Sequence, residues 1–136
     1  MPTTLYTIRV AGTPKAQPRP RAVARGGFAR VYNPDTADEW KAAVAAAPST
    51  PAKPAAPIES AVKLGIVVRM PIPKSRAKHV QADSPHTFKP DLDNLAKAIF
   101  DAMTNAGWWK DDCQISHLTV SKVWSDEPGA IIEVYV

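Results

Sequence analysis

The sequence contains a single cysteine, Cys113, among its 136 residues. One thiol cannot form an internal disulfide, and without neighbouring cysteines it cannot build a structural zinc site. No stretch approaches the roughly 20 apolar residues that a membrane-spanning helix needs. The first ten residues also lack the charged and then apolar layout of a signal peptide. We therefore expect a cytoplasmic protein that does not contact the membrane.

Acidic residues are absent from the first 34 positions, a stretch that carries six lysines and arginines. A second basic stretch, from residue 63 to 89, has six cations and one aspartate, whereas the span from 91 to 112 has five aspartates and two lysines. Basic flanks around an acidic centre are expected where cations hold phosphates and carboxylates hold a divalent ion, although a solvated surface can produce the same pattern. Our candidates for phosphate contacts are Arg19, Arg21, Arg25, Lys74, Arg76 and Lys78.

Fourteen prolines divide the chain into short elements. With 45% hydrophobic residues, a chain of this length can pack one core, so we predict a single domain over residues 1–136. Its predicted class is mixed α/β (α+β), a small sheet covered by two helices. The predicted elements are a strand at 4–10, a loop or hairpin at 11–34, a helix capped by Asn33 and ended by Pro48, an exposed, flexible Ala/Pro-rich connector at 48–57, a strand at 59–73, a loop at 74–90, a helix from Leu92 to Ala106 with Leu92 on its inner face, and strands at 115–124 and 130–136.

Two aspartates stand at the start of the second predicted helix. Within a regular helix Asp91 and Asp93 would point about 200° apart, so they converge only if the chain is extended at Asp91 and becomes helical near Asp93. Pro90 supports such an entry. In that geometry the two carboxylates can share one hard cation. The alternative, which is common for an Asp-x-Asp at a helix start, is that one of them simply caps the helix.

An amine and further carboxylates follow in the sequence. Lys97 comes four residues after Asp93, on the same helical face, where its ammonium could reach a phosphate oxygen or an attacking water; otherwise it is an ordinary exposed pair. After the helix, Asp111 and Asp112 bring more carboxylates back toward the next strand. Crowded carboxylates repel unless a cation or a shared proton offsets them. We interpret Asp101 as a solvated partner of Lys97.

These segments together resemble a known family signature. The stretch KPDLDNLAKAIFDAM (89–103), followed by a short turn and DDCQI (111–115), is similar to the signature of the RusA family of Holliday junction resolvases, which is found in phages and prophages. The N-terminal GTPKAQPRPR (12–21) resembles the Pro- and Arg-rich segment of the family, and Lys122 matches downstream. The likeness covers most of the chain outside the connector. It departs at Ala96, where a bulkier aliphatic residue is frequent.

The resemblance implies a homodimeric, Mg²⁺-dependent endodeoxyribonuclease that cuts branched DNA, the four-way junction, by paired symmetric nicks. Mn²⁺ could replace Mg²⁺, and no nucleotide cofactor is expected. The residues that the resemblance assigns are Asp91, Asp93 and Asp112 as metal ligands and catalytic groups, Lys97 as the catalytic lysine, Asp111 as nearby support, and Asn94 as a structural residue at the helix start.

Other conspicuous residues have simpler interpretations. Trp108 and Trp109 could stack on DNA bases, but filling the core or a dimer interface is the more frequent role of tryptophans at such a turn. We predict that Cys113 is a small buried residue. A noncatalytic nucleic-acid-binding module remains the alternative function. It explains the basic loops and leaves the gathered aspartates without a purpose.

Overall fold

The computed structural model describes residues 4–18, 21–25, 28–32 and 36–136. Its strands are β1 (Leu5–Ala11), β2 (Arg21–Arg25), β3 (Phe28–Tyr32), β4 (Ser49–Thr50), β5 (Val62–Pro71), β6 (Ile115–Ser125) and β7 (Gly129–Tyr135). Its α-helices are α1 (Asp38–Ala46) and α2 (Leu92–Asn105), and single 3₁₀ turns lie at Lys74–Arg76 and Asp112–Gln114.

Five strands form one mixed sheet in the order β4-β1-β7-β5-β6. Neighbouring strands are antiparallel except β5 and β6, which run parallel. A parallel pair needs a crossover connection, and the chain between β5 and β6 supplies it with α2. This connection brings α2 into contact with the short turn before β6. β2 and β3 form a separate two-stranded sheet.

The core lies between one face of the large sheet and the two helices. Every second residue of β5 from Val62 to Met70 is buried, which is the alternation of a strand with one covered face. The strand register aligns Ile8, Ile132 and Ile66 across this face. Burying each such side chain contributes about 1.5–3 kcal/mol. The helices cover the face with Trp40, Val44, Leu95, Ala98, Ile99 and Met103, all of which are buried.

The predicted mixed α/β architecture with two helices is confirmed. The two C-terminal strands begin and end within one residue of their predicted limits, and α2 matches its predicted span to one residue. The stretch predicted as a loop or hairpin contains the antiparallel pair β2–β3. In these segments the strand alternation, the helical period and the turn residues all favour the same local structure.

Three predictions about the elements differ from the structure. The predicted start of the first helix is wrong, because α1 begins at Asp38; Asn33 itself lies outside the described residues. The residue before α1, Ala37, is fully buried and offers no capping group, so packing sets this helix start. Leu92 is 38% exposed instead of facing the core. The connector is mostly exposed, yet Ser49 and Thr50 pair with β1, and its flexibility stays a prediction.

Within the described ranges no helix is both long and apolar enough to cross a bilayer. The longer of the two α-helices has 14 residues.

Candidate active site

Asp91 marks the change from extended chain to helix. Its backbone is extended, with φ −68° and ψ 144°, and the helix begins at the next residue. The backbone N–H of Leu95 donates to the Asp91 carbonyl at 3.1 Å. The Asp91 side chain accepts no capping hydrogen bond, although the residue occupies the N-cap position. The predicted extended-then-helical entry is confirmed, and the exposed carboxylates of Asp91 and Asp93 at the start of α2 are available to a ligand.

Lys97 joins the helix to the Asp-Asp turn. Its Nζ donates to Oδ2 of Asp112 at 2.9 Å and lies 3.2 Å from Oδ1 of Asp101. Asp101 in turn lies 3.8 Å from Nζ of Lys41 on α1. The lysine is half exposed, so each pair contributes little to stability. Its effect is to bring together two parts of the sequence motif that are 15 residues apart.

The turn at residues 110–114 is built around one glutamine. The side-chain oxygen of Gln114 accepts from the backbone N–H groups of Lys110 at 3.0 Å and Asp111 at 3.1 Å. Its amide nitrogen donates to the carbonyls of Ile58 at 2.8 Å and Ser60 at 3.1 Å. All the strong bonding positions of the amide are therefore used. The sequence motif contained this glutamine, but only the structure shows that it ties the turn to the chain before β5.

Asp111 also stabilises this turn. Its Oδ1 accepts from the backbone N–H of Cys113 at 2.9 Å, which completes a capping box with Gln114. This bond keeps the Asp111 carboxylate ionised and lowers its pKa. Asp111 therefore shapes the turn that carries Asp112, and its supporting role in a reaction stays a prediction.

The charges around the turn shift two further pKa values. The pKa of Lys97 is raised above its ordinary value, mainly by the hydrogen bond with Asp112 and next by the one with Asp101. This amine is therefore protonated at neutral pH. Asp111 raises the pKa of the Cys113 thiol because a nearby carboxylate disfavours the thiolate. The prediction that Cys113 is buried is wrong, because the side chain is exposed. Its carboxylate neighbours make it a poor nucleophile.

The carboxylates of Asp91, Asp93 and Asp112 are suitable ligands for a hard divalent cation, but they do not form a complete coordination site. Among the residues that the structure describes, no three His, Cys, Asp or Glu side chains are gathered closely enough to hold a metal ion. Mg²⁺ is usually held by one or two carboxylates together with waters and substrate phosphates. Asp91 and Asp93 are exposed and Asp112 is half buried, so carboxylate oxygens suited to such a partly hydrated ion are present. Their meeting around one ion stays a prediction.

An open cleft lies beside Lys97 and Asp112. It has a volume of about 390 Å³ and continues along the first residues of β6, from Ile115 to Leu118. A second opening of about 380 Å³ lies beside Asp101 and Asp112 and has a mainly polar lining. Asp112 therefore borders both openings, where a phosphate backbone could approach it.

The predicted phosphate contacts lie in two regions. Arg21 and Arg25 begin and end β2, and Arg19 lies outside the described residues. Lys74 and Arg76 form the first 3₁₀ turn, with Lys78 just after it, and all three side chains are exposed. The Arg76 guanidinium lies 4.1 Å from the ring centre of Phe88, close in sequence to Asp91. Contacts of these residues with DNA stay a prediction.

The two adjacent tryptophans belong to the core. Trp108 and Trp109 are 2% and 1% exposed. The Trp108 ring meets Tyr6 edge-on at 5.4 Å, and Nε1 of Trp109 donates to Oγ1 of Thr104 at 2.8 Å. The core interpretation is confirmed, and neither ring is available to stack on a base in this structure.

Comparison with known proteins connects this geometry to a family. The family model described as "Endodeoxyribonuclease RusA" matches residues 11–135. The uncharacterized protein YqaN of Bacillus subtilis (strain 168) is 36% identical over 126 residues, which cover 88% of this chain and 87% of YqaN. The crossover junction endodeoxyribonucleases RusA of Escherichia coli (strain K12) and Enterobacteria phage 82 are each 46% identical over 44 residues, which cover 32% of this chain and 37% of each relative.

Proposed function

Because the chain belongs to the RusA family of endodeoxyribonucleases, we propose that it resolves four-way DNA junctions by paired, symmetric phosphodiester cleavage that depends on Mg²⁺. The family makes the protein a nuclease. The proposal adds its substrate, its cation and the residues that carry the reaction.

One contact supports the proposed site more than any other. Lys97 and Asp112, both assigned by the sequence motif, meet at 2.9 Å across two different elements. A random surface pair would not be expected to join the two halves of one motif. The amine of Lys97 and the carboxylate of Asp112 both border the same open cleft.

Asp91, Asp93 and Asp112 would hold the cation. When bound, Mg²⁺, which Mn²⁺ could replace, would polarise the phosphate and supply an activated water. In the structure Lys97 neutralises Asp112, and its ammonium can also stabilise charge that develops on a phosphate oxygen nearby. Asp101 keeps the amine in place from the far side.

Selection of a branched substrate would come from shape and charge. The basic side chains of β2 and of the 74–78 region would contact phosphates without reading bases. Two symmetric nicks need two sites, so we propose that the active form is a homodimer whose sites match the geometry of the junction.

The substitution Asp93→Asn tests the assignment. It removes a charge from the proposed cation site and leaves the shape of the side chain unchanged. We expect junction binding to be retained while Mg²⁺-dependent cleavage falls by about 100-fold or more, since the cation contributes several kcal/mol to the transition state. Cleavage is measured on a synthetic four-way junction and on linear duplex, with and without Mg²⁺.

The matched control is Asp126→Asn, because Asp126 is exposed in the turn between β6 and β7. It should cut like the wild type. Undiminished cleavage by a folded Asp93→Asn protein would refute the site. Tight junction binding without any cutting by the wild type would favour the noncatalytic module, and equal cutting of linear duplex would indicate a general nuclease.

A further inference from the structure

A lysine on β6 holds the backbone that leads into Asp91. Nζ of Lys122 donates to the carbonyl oxygen of Phe88 at 2.6 Å and to that of Pro90 at 2.7 Å. Hydrogen bonds with a charged donor are stronger than those between neutral groups. Lys122 is half buried, so the ordering of its side chain is supported by its surroundings.

Backbone hydrogen bonds attach the same stretch to β6. We call residues 83–90 the approach segment. The backbone N–H of His86 donates to the Lys122 carbonyl at 3.0 Å, and that of Trp124 donates to the Ser84 carbonyl at 3.0 Å. The first half of the approach segment is thus paired with the strand by backbone groups. Its second half is held by the Lys122 side chain.

Aromatic packing fixes the middle of the approach segment. The His86 ring centre lies 4.2 Å from that of Trp124 on β6, and the Phe88 ring centre lies 5.9 Å from it. The Arg76 guanidinium lies over the Phe88 ring, 4.1 Å from the ring centre. The approach segment is therefore anchored from residue 84 to residue 90, directly before the first aspartate of the motif.

The consequence for Asp91 follows from the peptide bond. The Pro90 carbonyl belongs to the planar peptide unit that joins Pro90 to Asp91. Holding this oxygen in place therefore also fixes the orientation of the peptide plane at the backbone nitrogen of Asp91. The Asp91 side chain has no capping bond to orient it. We infer that Lys122 is a positioning residue, which holds Asp91 in the orientation in which its carboxylate accepts the divalent cation. This inference rests on the proposed function.

A purely structural role makes a different prediction. If Lys122 only stabilised the fold, its loss would lower the unfolding temperature and leave the cation affinity of the remaining folded protein unchanged. A positioning role affects the cation site itself. Substituting a residue that orients a metal ligand typically lowers metal affinity or activity by about 10–100-fold.

The test measures the affinity of the full chain for Mn²⁺ in the absence of DNA, using electron paramagnetic resonance. The variant is Lys122→Met, which keeps the length of the side chain and removes its donors and charge. The matched control is Lys53→Met, because Lys53 also donates to a carbonyl, that of Ala106, at 3.0 Å at the opposite end of α2. We expect Mn²⁺ affinity to fall by about 10–100-fold in Lys122→Met and to stay unchanged in Lys53→Met. Lys122→Arg should recover most of the affinity, because it restores charge and donors.

The outcomes separate the two proposals. Wild-type Mn²⁺ affinity in folded Lys122→Met, with normal junction cleavage, would overturn the positioning role and leave the proposed function intact. A wild-type protein that neither binds Mn²⁺ nor cuts junctions would overturn both. If Lys122→Met does not fold, Lys122→Gln takes its place, and wild-type Mn²⁺ affinity in that variant likewise overturns the inference.

Discussion

A single amine, that of Lys97, bridges Asp101 on α2 and Asp112 in the following turn. It lies between Asp112 and Asp101 and is held closer to Asp112, at 2.9 Å against 3.2 Å. A cation that binds Asp112 would compete with this ammonium for the same carboxylate, since both are positive. Asp101 then provides the partner that keeps Lys97 beside the cleft. Asp101, which the sequence alone presented as a solvated partner of Lys97, thus also takes part in the charge arrangement of the site.

His86 gives the molecule a pH-dependent stability. Burial is the main cause that lowers its pKa below the ordinary 6.5, with the charge of Lys122 adding to it. The unfolded chain therefore binds a proton more readily than the folded one, and stability falls as the pH drops below about 6.5. We expect the free energy of unfolding, from urea titrations between pH 7 and pH 5, to fall less steeply in His86→Gln than in the wild type. Equal slopes in both proteins would contradict this cause.

At the scale of elements, the turn at residues 110–114 depends on Gln114. Its substitution by alanine leaves two carbonyls and two N–H groups without their partner. We expect Gln114→Ala to lower the free energy of unfolding by about 1–3 kcal/mol and to reduce junction cleavage, because Asp112 lies in this turn. Chemical denaturation and the junction assay measure the two effects.

The control for the turn is Gln81→Ala, an exposed glutamine in the loop before α2. It should change neither quantity. Wild-type cleavage by Gln114→Ala would show that the position of Asp112 does not depend on this amide.

The elements also show what the sequence could and could not predict. The span of α2 followed from its apolar period, because its inner face carries enough aliphatic residues to define it. The start of α1 could not be predicted in this way. It depends on the burial of Ala37, and no local capping signal in the sequence encodes that contact. Likewise, the pairing of Ser49 and Thr50 with β1 depends on a distant strand.

The same distinction applies to the site. The motif linked Lys97 with Asp112, which are in contact, and Pro90 together with the Asp-x-Asp spacing predicted the extended backbone at Asp91. The two bonds of Lys122 to the approach segment, and the two that Gln114 donates to the chain before β5, join residues 32 to 56 positions apart. Contacts of this kind arise from the packing of β6 and the chain before β5, which a pattern of residue types does not specify.

At the scale of the whole molecule, charge determines how the protein meets DNA. The chain carries 17 basic and 13 acidic side chains, a formal net charge of +4. If Lys74 and Lys78 each contact a phosphate, the double variant Lys74→Gln/Lys78→Gln should reduce the slope of log affinity against log salt by about 1.8. Junction binding measured at several salt concentrations without divalent cations gives this slope.

The control for charge is Lys53→Gln, which removes a cation that lies at the end of α2, away from the proposed contacts. Its slope should equal that of the wild type. An unchanged slope in the double variant would place the phosphate contacts elsewhere on the molecule.

The central claim concerns the meeting of the three aspartates around one cation. A crystal structure of the protein with Mn²⁺, with the ion located by its anomalous scattering, tests this claim most directly. We expect one ion bound by carboxylate oxygens of Asp91, Asp93 and Asp112, with Nζ of Lys97 withdrawn from Asp112 toward Asp101. An ion bound elsewhere, or an Asp112 that keeps its bond to Lys97 while Mn²⁺ binds without it, would contradict the account.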